Sequence, residues 1–214
     1  MRTIPLSGLT VELSEVVLGT MTFGQQLPED DAIRMVDRAV DAGITTFDTS
    51  NNYAGGDSER ILGRALHGRR DSVLLSTKGG SHVDQEDASV TGLGRAALTA
   101  AVEGSLRRLG TDRIDIYYLH RPDRATPFEE TLEVLRDLVA EGKILRVGQS
   151  NYAAWQITEL NAIAEATGAP PIRIAQTMYN LVSRRVEAEY AECSEHLGLT
   201  DITYNPLAGG LLTG

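Results

Sequence analysis

Short aliphatic runs alternate with longer amphipathic stretches along the chain. The short runs are rich in β-branched residues and are typical of buried strands, whereas the longer stretches place apolar residues every three or four positions, as helices do. Strand and helix that alternate in this way predict parallel strands joined by crossover helices. The predicted strands are residues 16–18, 44–47, 73–77, 114–118, 145–148, 172–175 and 202–204.

Two of the helical stretches carry start and stop signals. Pro28 and Pro127 each precede acidic residues, and Gly43 and Gly142 close the same stretches. Proline has the backbone angle of a first helical turn, acidic side chains suit the positive end of the helix dipole, and glycine suits the end of a helix. Two further helices are predicted at residues 95–109 and 153–167.

The connections favour a barrel over an open sheet. No predicted strand leads into the Gly-x-Gly-x-x-Gly turn of a doubly wound dinucleotide-binding sheet, and Gly92-Leu93-Gly94 lacks both the third glycine and a preceding strand. We therefore predict the α/β fold of a TIM (β/α)8 barrel. Residues 3–6 and 11–13, joined by residues 7–10, predict a short N-terminal β-hairpin at the bottom of the barrel.

The pattern supplies seven barrel strands, whereas a closed barrel of this class has an eighth. We expect a single barrel domain over residues 1–214 that is truncated before the eighth strand. The first and seventh strands would then have unpaired edges.

Composition excludes several classes of function. The net charge is −10 and the basic residues are scattered, which argues against a nucleic-acid partner. No segment is apolar enough for a signal peptide or a bilayer span, and a single cysteine, Cys193, fits a reducing compartment. We expect a cytoplasmic protein that does not contact a membrane. The histidines lack the spacing of metal ligands, so we expect no metal, and three of them, His67, His82 and His196, are expected on solvated helices or loops.

Side chains with acid–base chemistry follow three consecutive predicted strands. Asp48 and Tyr53 follow the second strand, Lys78 the third and His120 the fourth. In parallel barrels the carboxyl ends of the strands meet at one rim, where active sites lie. Each residue alone has a structural explanation: a turn or cap for the aspartate, a surface position for the tyrosine or lysine, a satisfied structural position for the histidine. Their common position predicts a site.

These residue types suit the polarisation of a carbonyl group. A tyrosine hydroxyl has a pKa of about 10, which is high for proton exchange at neutral pH, and a neighbouring ammonium lowers that pKa. We predict that Lys78 lowers the pKa of Tyr53 and that Asp48 holds Lys78 in place. Tyr53 would protonate a carbonyl oxygen, and His120 would orient a substrate oxygen by hydrogen bonding.

Four short segments resemble the aldo-keto reductase superfamily, whose catalytic tetrad is Asp, Tyr, Lys and His in this order. The segments are Gly19-Thr20-Met21, Phe47-Asp48-Thr49 with Tyr53, Ser76-Thr77-Lys78 and Tyr118-Leu119-His120. Four longer segments are similar to the branch of aflatoxin-aldehyde and succinic-semialdehyde reductases and, less closely, to potassium-channel β subunits: HRPDRATPFEETLEVLRDLVAEGKI, GQSNYAAW, QTMYN and YNPLAGGLLTG.

The resemblance implies an NADP(H)-dependent oxidoreductase that reduces aldehydes or ketones to alcohols. Its catalytic residues would be Asp48, Tyr53, Lys78 and His120, its partner would be a small carbonyl compound, and a homodimer is the assembly that the resemblance suggests. Arg121, beside His120, would meet the carboxylate of a semialdehyde or be only solvated. Two alternatives stay open: a cofactor-sensing or scaffold subunit with little turnover, and a truncated reductase that is inactive alone.

The resemblance also implies a set of cofactor-binding residues. Ser150 and Asn151 would bond the nicotinamide carboxamide, Gln176 would lie beside them, and Tyr204 would stack on the ring. Taken without the resemblance, the serine and asparagine are an ordinary helix cap and the tyrosine begins an ordinary turn. In the family the groups that hold the adenosine 2′-phosphate follow the seventh strand, so we expect weak NADPH binding by these 214 residues alone. The full cofactor-binding set is Gly19, Thr20, Met21, Asp48, Ser150, Asn151, Gln176, Tyr204, Asn205, Leu207 and Gly209.

Overall fold

The computed structural model describes residues 1–80 and 91–214. Its strands are β1 (Thr3–Ile4), β2 (Leu13–Ser14), β3 (Val17–Gly19), β4 (Thr46–Asp48), β5 (Leu74–Gly79), β6 (Ile114–Leu119), β7 (Ile144–Ser150), β8 (Ile174–Met178) and β9 (Thr200–Tyr204). Its helices are α1 (Glu29–Asp41), α2 (Asp57–Ala65), α3 (Arg95–Leu109), α4 (Phe128–Ala140), α5 (Ala154–Thr167) and α6 (Tyr190–Leu197).

Strands β3 to β9 form one parallel sheet in chain order, curved into a nearly closed barrel. Helices α1 to α6 each follow one strand of this sheet and precede the next. The predicted partial (β/α)8 barrel is therefore confirmed, with all seven strands near their expected positions. Among the described residues, β3 pairs only with β4 and β9 only with β8.

The hairpin of β1 and β2 closes the lower end of the barrel, as predicted. The two strands pair antiparallel, and the residues around them carry Leu6 and Leu13 into a cluster of buried side chains. The other members of this inner cluster come from the barrel strands: Leu74, Ile116, Tyr118 and Ile174. The barrel interior is therefore filled from below, which leaves the opposite end for a site.

A second cluster lies between the sheet and the surrounding helices. Every residue of β6 is buried, because this strand has barrel contents on one face and helices on the other. In β9 none of the five residues is fully buried. No helix in the described ranges has both the length and the apolar character required to cross a bilayer.

Candidate active site

The four predicted catalytic residues meet at the carboxyl ends of β4, β5 and β6. Asp48 ends β4, Lys78 lies one residue before the end of β5, and His120 follows β6 directly. Tyr53 begins a short 3-10 turn after β4. We call this group the catalytic rim, after its predicted role: Asp48, Tyr53, Lys78 and His120.

A buried ion pair lies at the centre of the catalytic rim. Lys78 Nζ donates to Asp48 Oδ2 at 2.5 Å and to the carbonyl oxygen of Thr49 at 2.6 Å, and the lysine is only 1% exposed. The other carboxylate oxygen of Asp48 accepts from Ser76 Oγ at 2.7 Å and from Gln176 Nε2 at 3.2 Å. These hydrogen bonds offset the desolvation of both charges, so the pair is held in one arrangement.

Tyr53 lies against the ammonium of this pair. Lys78 Nζ is 5.1 Å from the centroid of the tyrosine ring, and the rings of Tyr53 and His120 meet edge to face with centroids 6.2 Å apart. Burial raises the pKa of Tyr53, and this effect outweighs the charge and hydrogen bonding of Lys78, which act in the predicted direction. The prediction of a lowered pKa is therefore wrong in its net direction, because it ignored burial. A raised pKa keeps the hydroxyl protonated, which is the state of a proton donor.

The backbone after Tyr53 turns the chain sharply. Ala54, Gly55 and Gly56 all have positive φ angles, of 49°, 65° and 86°. Glycine adopts this conformation without a steric penalty, whereas alanine does so at a cost of about 1–2 kcal/mol. This turn reverses the chain between the strand end and α2 and holds Tyr53 at the rim.

His120 is an uncharged imidazole in this setting. Burial, with the positive charges of Lys78 and Arg121, lowers the pKa of His120 from 6.5 to about 4, against a smaller opposing effect of Asp48. Its Nδ1 lies 3.2 Å from Ser50 Oγ, and its backbone nitrogen donates to the Gly79 carbonyl oxygen at 2.9 Å. The residue is therefore tied through its backbone to the end of β5 and through its ring to the loop after β4.

A second group of predicted residues meets at the ends of β7, β8 and β9. Asn151 has a φ of 65°, and its Nδ2 donates to the His120 carbonyl oxygen at 3.1 Å, while its Oδ1 accepts from Tyr204 at 2.8 Å. Ser150 Oγ donates to the Gln176 carbonyl oxygen at 3.0 Å. We call this group the cofactor rim, after its predicted role: Ser150, Asn151, Gln176, Tyr204 and Asn205. It is continuous with the catalytic rim through Gln176 and Asn151.

The loop after β9 contains several residues in the left-handed backbone conformation. Asn205, Ala208 and Gly209 have positive φ angles, and the Gly209 backbone nitrogen donates to Asn205 Oδ1 at 2.7 Å. Asn180 Nδ2 ties this loop to the end of β8 by donating to the Asn205 carbonyl oxygen at 2.9 Å. Leu207 is 52% exposed on the same loop.

The predicted cofactor residues after β3 separate into two kinds. Gly19 and Met21 are exposed at the strand end. The Thr20 side chain is fully buried, and its hydroxyl bonds the Asp48 carbonyl oxygen at 3.1 Å and Ser58 Oγ at 2.7 Å. The threonine side chain is therefore part of the barrel wall and ties β3 to β4.

The structure adds site residues that the strand-end pattern did not identify. Ser76 bonds Asp48, and Ser50 bonds His120. Ser76 lies two positions before Lys78 on β5, so the alternation of a strand places both side chains on one face, a signal that the sequence contained. Ser50 has no such signal, because its contact with His120 spans 70 positions.

No cluster of three or more metal-ligating side chains occurs within residues 1–80 and 91–214. His67 and His196 are in that part of the chain. His82, expected on a solvated helix or loop, lies outside the described residues.

The fold and the site define a (β/α) barrel protein with an acid–base group at its carboxyl-terminal mouth. A sequence model described as the Aldo/keto reductase family matches residues 15–214. The chain belongs to this family, as the resemblance of its motifs predicts.

Individual relatives carry several descriptions. Aflatoxin B1 aldehyde reductase member 2 of Mus musculus is 38% identical over 201 residues, which cover 92% of this chain and 53% of the relative. Aldo-keto reductase family 7 member A3 of Homo sapiens is 37% identical over 205 residues, with 92% and 59% covered. A probable voltage-gated potassium channel subunit beta of Oryza sativa subsp. japonica is 37% identical over 216 residues, with 97% and 64% covered. The chain thus spans 53% to 64% of the length of these relatives.

Proposed function

We propose that the protein is an NADP(H)-dependent oxidoreductase that reduces aldehydes or ketones to alcohols, with Tyr53 as the general acid. The observation that carries this proposal is the buried Asp48–Lys78 ion pair against Tyr53, whose pKa is raised by burial, at the barrel mouth. Two of the relatives are described as an aldehyde reductase and an aldo-keto reductase, which supports the same chemistry.

The residues of the cofactor rim fit a nicotinamide dinucleotide. A carboxamide needs both donors and acceptors: Asn151 Oδ1 can accept a second hydrogen bond besides that of Tyr204, and Gln176 Nε2 has one N–H beyond its bond to Asp48. Ser150 Oγ holds Asn151 in place by accepting from its Nδ2. The half-buried ring of Tyr204 offers a stacking surface, and the positive-φ loop after β9 lets backbone approach a phosphate closely. The bound cofactor would supply the hydride that the carbonyl carbon accepts.

The catalytic rim supplies the proton and stabilises the charge that remains. Tyr53 donates its hydroxyl proton to the carbonyl oxygen as negative charge develops there. The phenolate that results lies beside the ammonium of Lys78, whose position is held by Asp48 and by the Thr49 carbonyl oxygen. Because these groups are fixed before the reaction, little reorganisation is required when the proton moves.

The test is the loss of the Tyr53 hydroxyl. Tyr53→Phe should lower the turnover of an aromatic aldehyde with NADPH by about 10²- to 10⁴-fold, the usual contribution of a general acid. Cofactor affinity and the unfolding midpoint should change little. The matched control is Tyr190→Phe on α6, whose hydroxyl donates to Asp201 at the amino-terminal end of β9, opposite the rims, and this variant should keep its turnover. Wild-type turnover in Tyr53→Phe would refute the assigned role.

A second candidate function is a cofactor-sensing or scaffold subunit with little turnover. It is favoured by the rice relative, which is described as a probable channel subunit and covers 97% of this chain. The two candidates differ in one measurement on the wild type: tight NADPH binding with negligible aldehyde reduction supports the sensor, whereas reduction that depends on Tyr53 supports the enzyme. We also propose a homodimer, which sedimentation of the purified chain would test.

A further inference from the structure

The hydroxyl of Ser50 connects His120 to the loop that carries Tyr53. Ser50 is fully buried, and its Oγ donates to Asn52 Oδ1 at 2.7 Å. The same oxygen lies 3.2 Å from His120 Nδ1 and 3.4 Å from the Lys78 carbonyl oxygen. Serine and asparagine thus form a short chain of hydrogen bonds that ends on the imidazole.

The number of protons available around Ser50 Oγ decides which group donates in each of these hydrogen bonds. A serine hydroxyl has one proton, and two of the three neighbours of Ser50 Oγ, the side-chain oxygen of Asn52 and the backbone oxygen of Lys78, can only accept. The shortest contact is the one to Asn52, which takes the proton. The lone pairs of Ser50 Oγ are then left for Nδ1, so the imidazole must supply the proton of that contact.

We infer that Ser50 and Asn52 are positioning residues that hold His120 in its Nδ1–H tautomer, with Nε2 left as an unprotonated acceptor. Nε2 makes no hydrogen bond with any residue in the described ranges, so it is available to a bound molecule. The lowered pKa of His120 is consistent with this, because an uncharged ring has one protonated nitrogen at neutral pH.

The tautomer determines which substrate oxygen His120 can bind, and this consequence rests on the proposed function. An unprotonated Nε2 cannot donate to a carbonyl oxygen, so in the catalytic rim Tyr53 donates to the aldehyde. Nε2 can accept from a hydroxyl, which only the alcohol has. His120 would therefore recognise the alcohol product, or the alcohol substrate in the reverse direction.

The tautomer can be read directly by nuclear magnetic resonance. The full 214-residue chain would be labelled with ¹⁵N-histidine, and long-range proton–nitrogen correlations of its four imidazoles recorded at neutral pH. The signals of His120 are those lost in His120→Gln. A protonated Nδ1 with an unprotonated Nε2 supports the inference, and a protonated Nε2 overturns it. No cofactor or substrate is needed, so this outcome is independent of whether the chain reduces aldehydes.

Two variants separate this role from simple packing. Ser50→Ala removes the acceptor, and the Nε2–H tautomer should appear. Asn52→Asp keeps an acceptor-only oxygen beside Ser50 and should retain the Nδ1–H tautomer of the wild type. In Ser50→Ala the Nε2–H can donate to the aldehyde oxygen, so the KM of the aldehyde should fall by about two- to tenfold, the worth of one hydrogen bond, whereas inhibition by the alcohol, whose hydroxyl can donate or accept, should change less. An unchanged tautomer in Ser50→Ala would contradict the role of Ser50, and if that variant does not fold, the wild-type spectrum decides alone.

Discussion

The catalytic rim and the cofactor rim lie on the same mouth of the barrel but are built differently. In the catalytic rim, Lys78 is 1% exposed and Asp48 is 7% exposed, and side chains hold one another through short charged contacts. In the cofactor rim Ser150 and Gln176 are also buried, but Asn151 and Asn205 are exposed, and the loop after β9 is shaped by backbone turns with positive φ angles.

This difference between the two rims corresponds to two ways of fixing polar groups in position. A proton donor needs charges close to it in a region that water does not reach, because water would screen them. A long cofactor needs an accessible surface with polar groups at fixed points, and a turn stabilised by its own hydrogen bonds provides this without burial. We therefore expect substitutions in the catalytic rim to affect both stability and turnover, and those in the cofactor rim to affect binding.

The largest effect should follow from Lys78→Met. The change leaves the Asp48 carboxylate buried without its partner, which should lower the free energy of unfolding by about 3–5 kcal/mol. Turnover of an aldehyde should fall by about 10²- to 10³-fold, because the charge that stabilises the Tyr53 phenolate is lost. Urea unfolding and steady-state kinetics measure the two effects.

The control for this prediction is the double variant Asp48→Asn with Lys78→Met. It removes both charges, so most of the stability should return while turnover stays low. Recovery of both quantities together would show that the ion pair only supports the fold. Such a result would remove the distinction between the two rims.

A smaller effect should appear as a pH dependence of stability. The pKa of His120 falls from 6.5 in the unfolded chain to about 4 in the folded protein, so between these values the unfolded chain binds a proton that the folded one does not. The free energy of unfolding therefore falls as the pH drops through this window and does not change above it. Between about pH 7 and about pH 4.5 the wild type should lose about 2–3 kcal/mol more than His120→Gln. Equal losses, measured by urea unfolding, would mean that His120 is not buried as described.

Much of the fold follows from local pattern. All seven barrel strands and four of the six described helices lie where the spacing of apolar residues predicts them. A strand buried on both faces has a continuous apolar run, whereas a helix packed on one face has an apolar residue every three or four positions. Helix α2 was not predicted: it follows a turn of three residues with positive φ, and such a turn interrupts the periodic signal. Helix α6 is only eight residues long, too short for a clear period.

The positions of the site residues at the strand ends could be predicted from the sequence, but the pKa shifts of these residues could not. Parallel topology alone brings Asp48, Lys78 and His120 to one rim. The direction of the pKa shift of Tyr53 depends on how deeply the ring is buried, which results from packing across several elements. The contact of Ser50 with His120 likewise depends on the path of one loop, for which no periodicity exists.

The smallest effect should follow from Tyr204→Phe in the cofactor rim. The hydroxyl of Tyr204 donates to Asn151 Oδ1 at 2.8 Å, so its loss frees the asparagine side chain but keeps the aromatic ring. NADPH affinity, measured by fluorescence titration, should weaken by about two- to tenfold, as expected for one hydrogen bond, while the unfolding midpoint changes little. Tyr204→Leu should weaken it further, because the stacking surface is lost as well. The control is Tyr179→Phe, which removes an exposed hydroxyl bonded to Glu187. If Tyr204→Leu binds NADPH as the wild type does, the cofactor does not contact this ring, and the rim at β9 has another role.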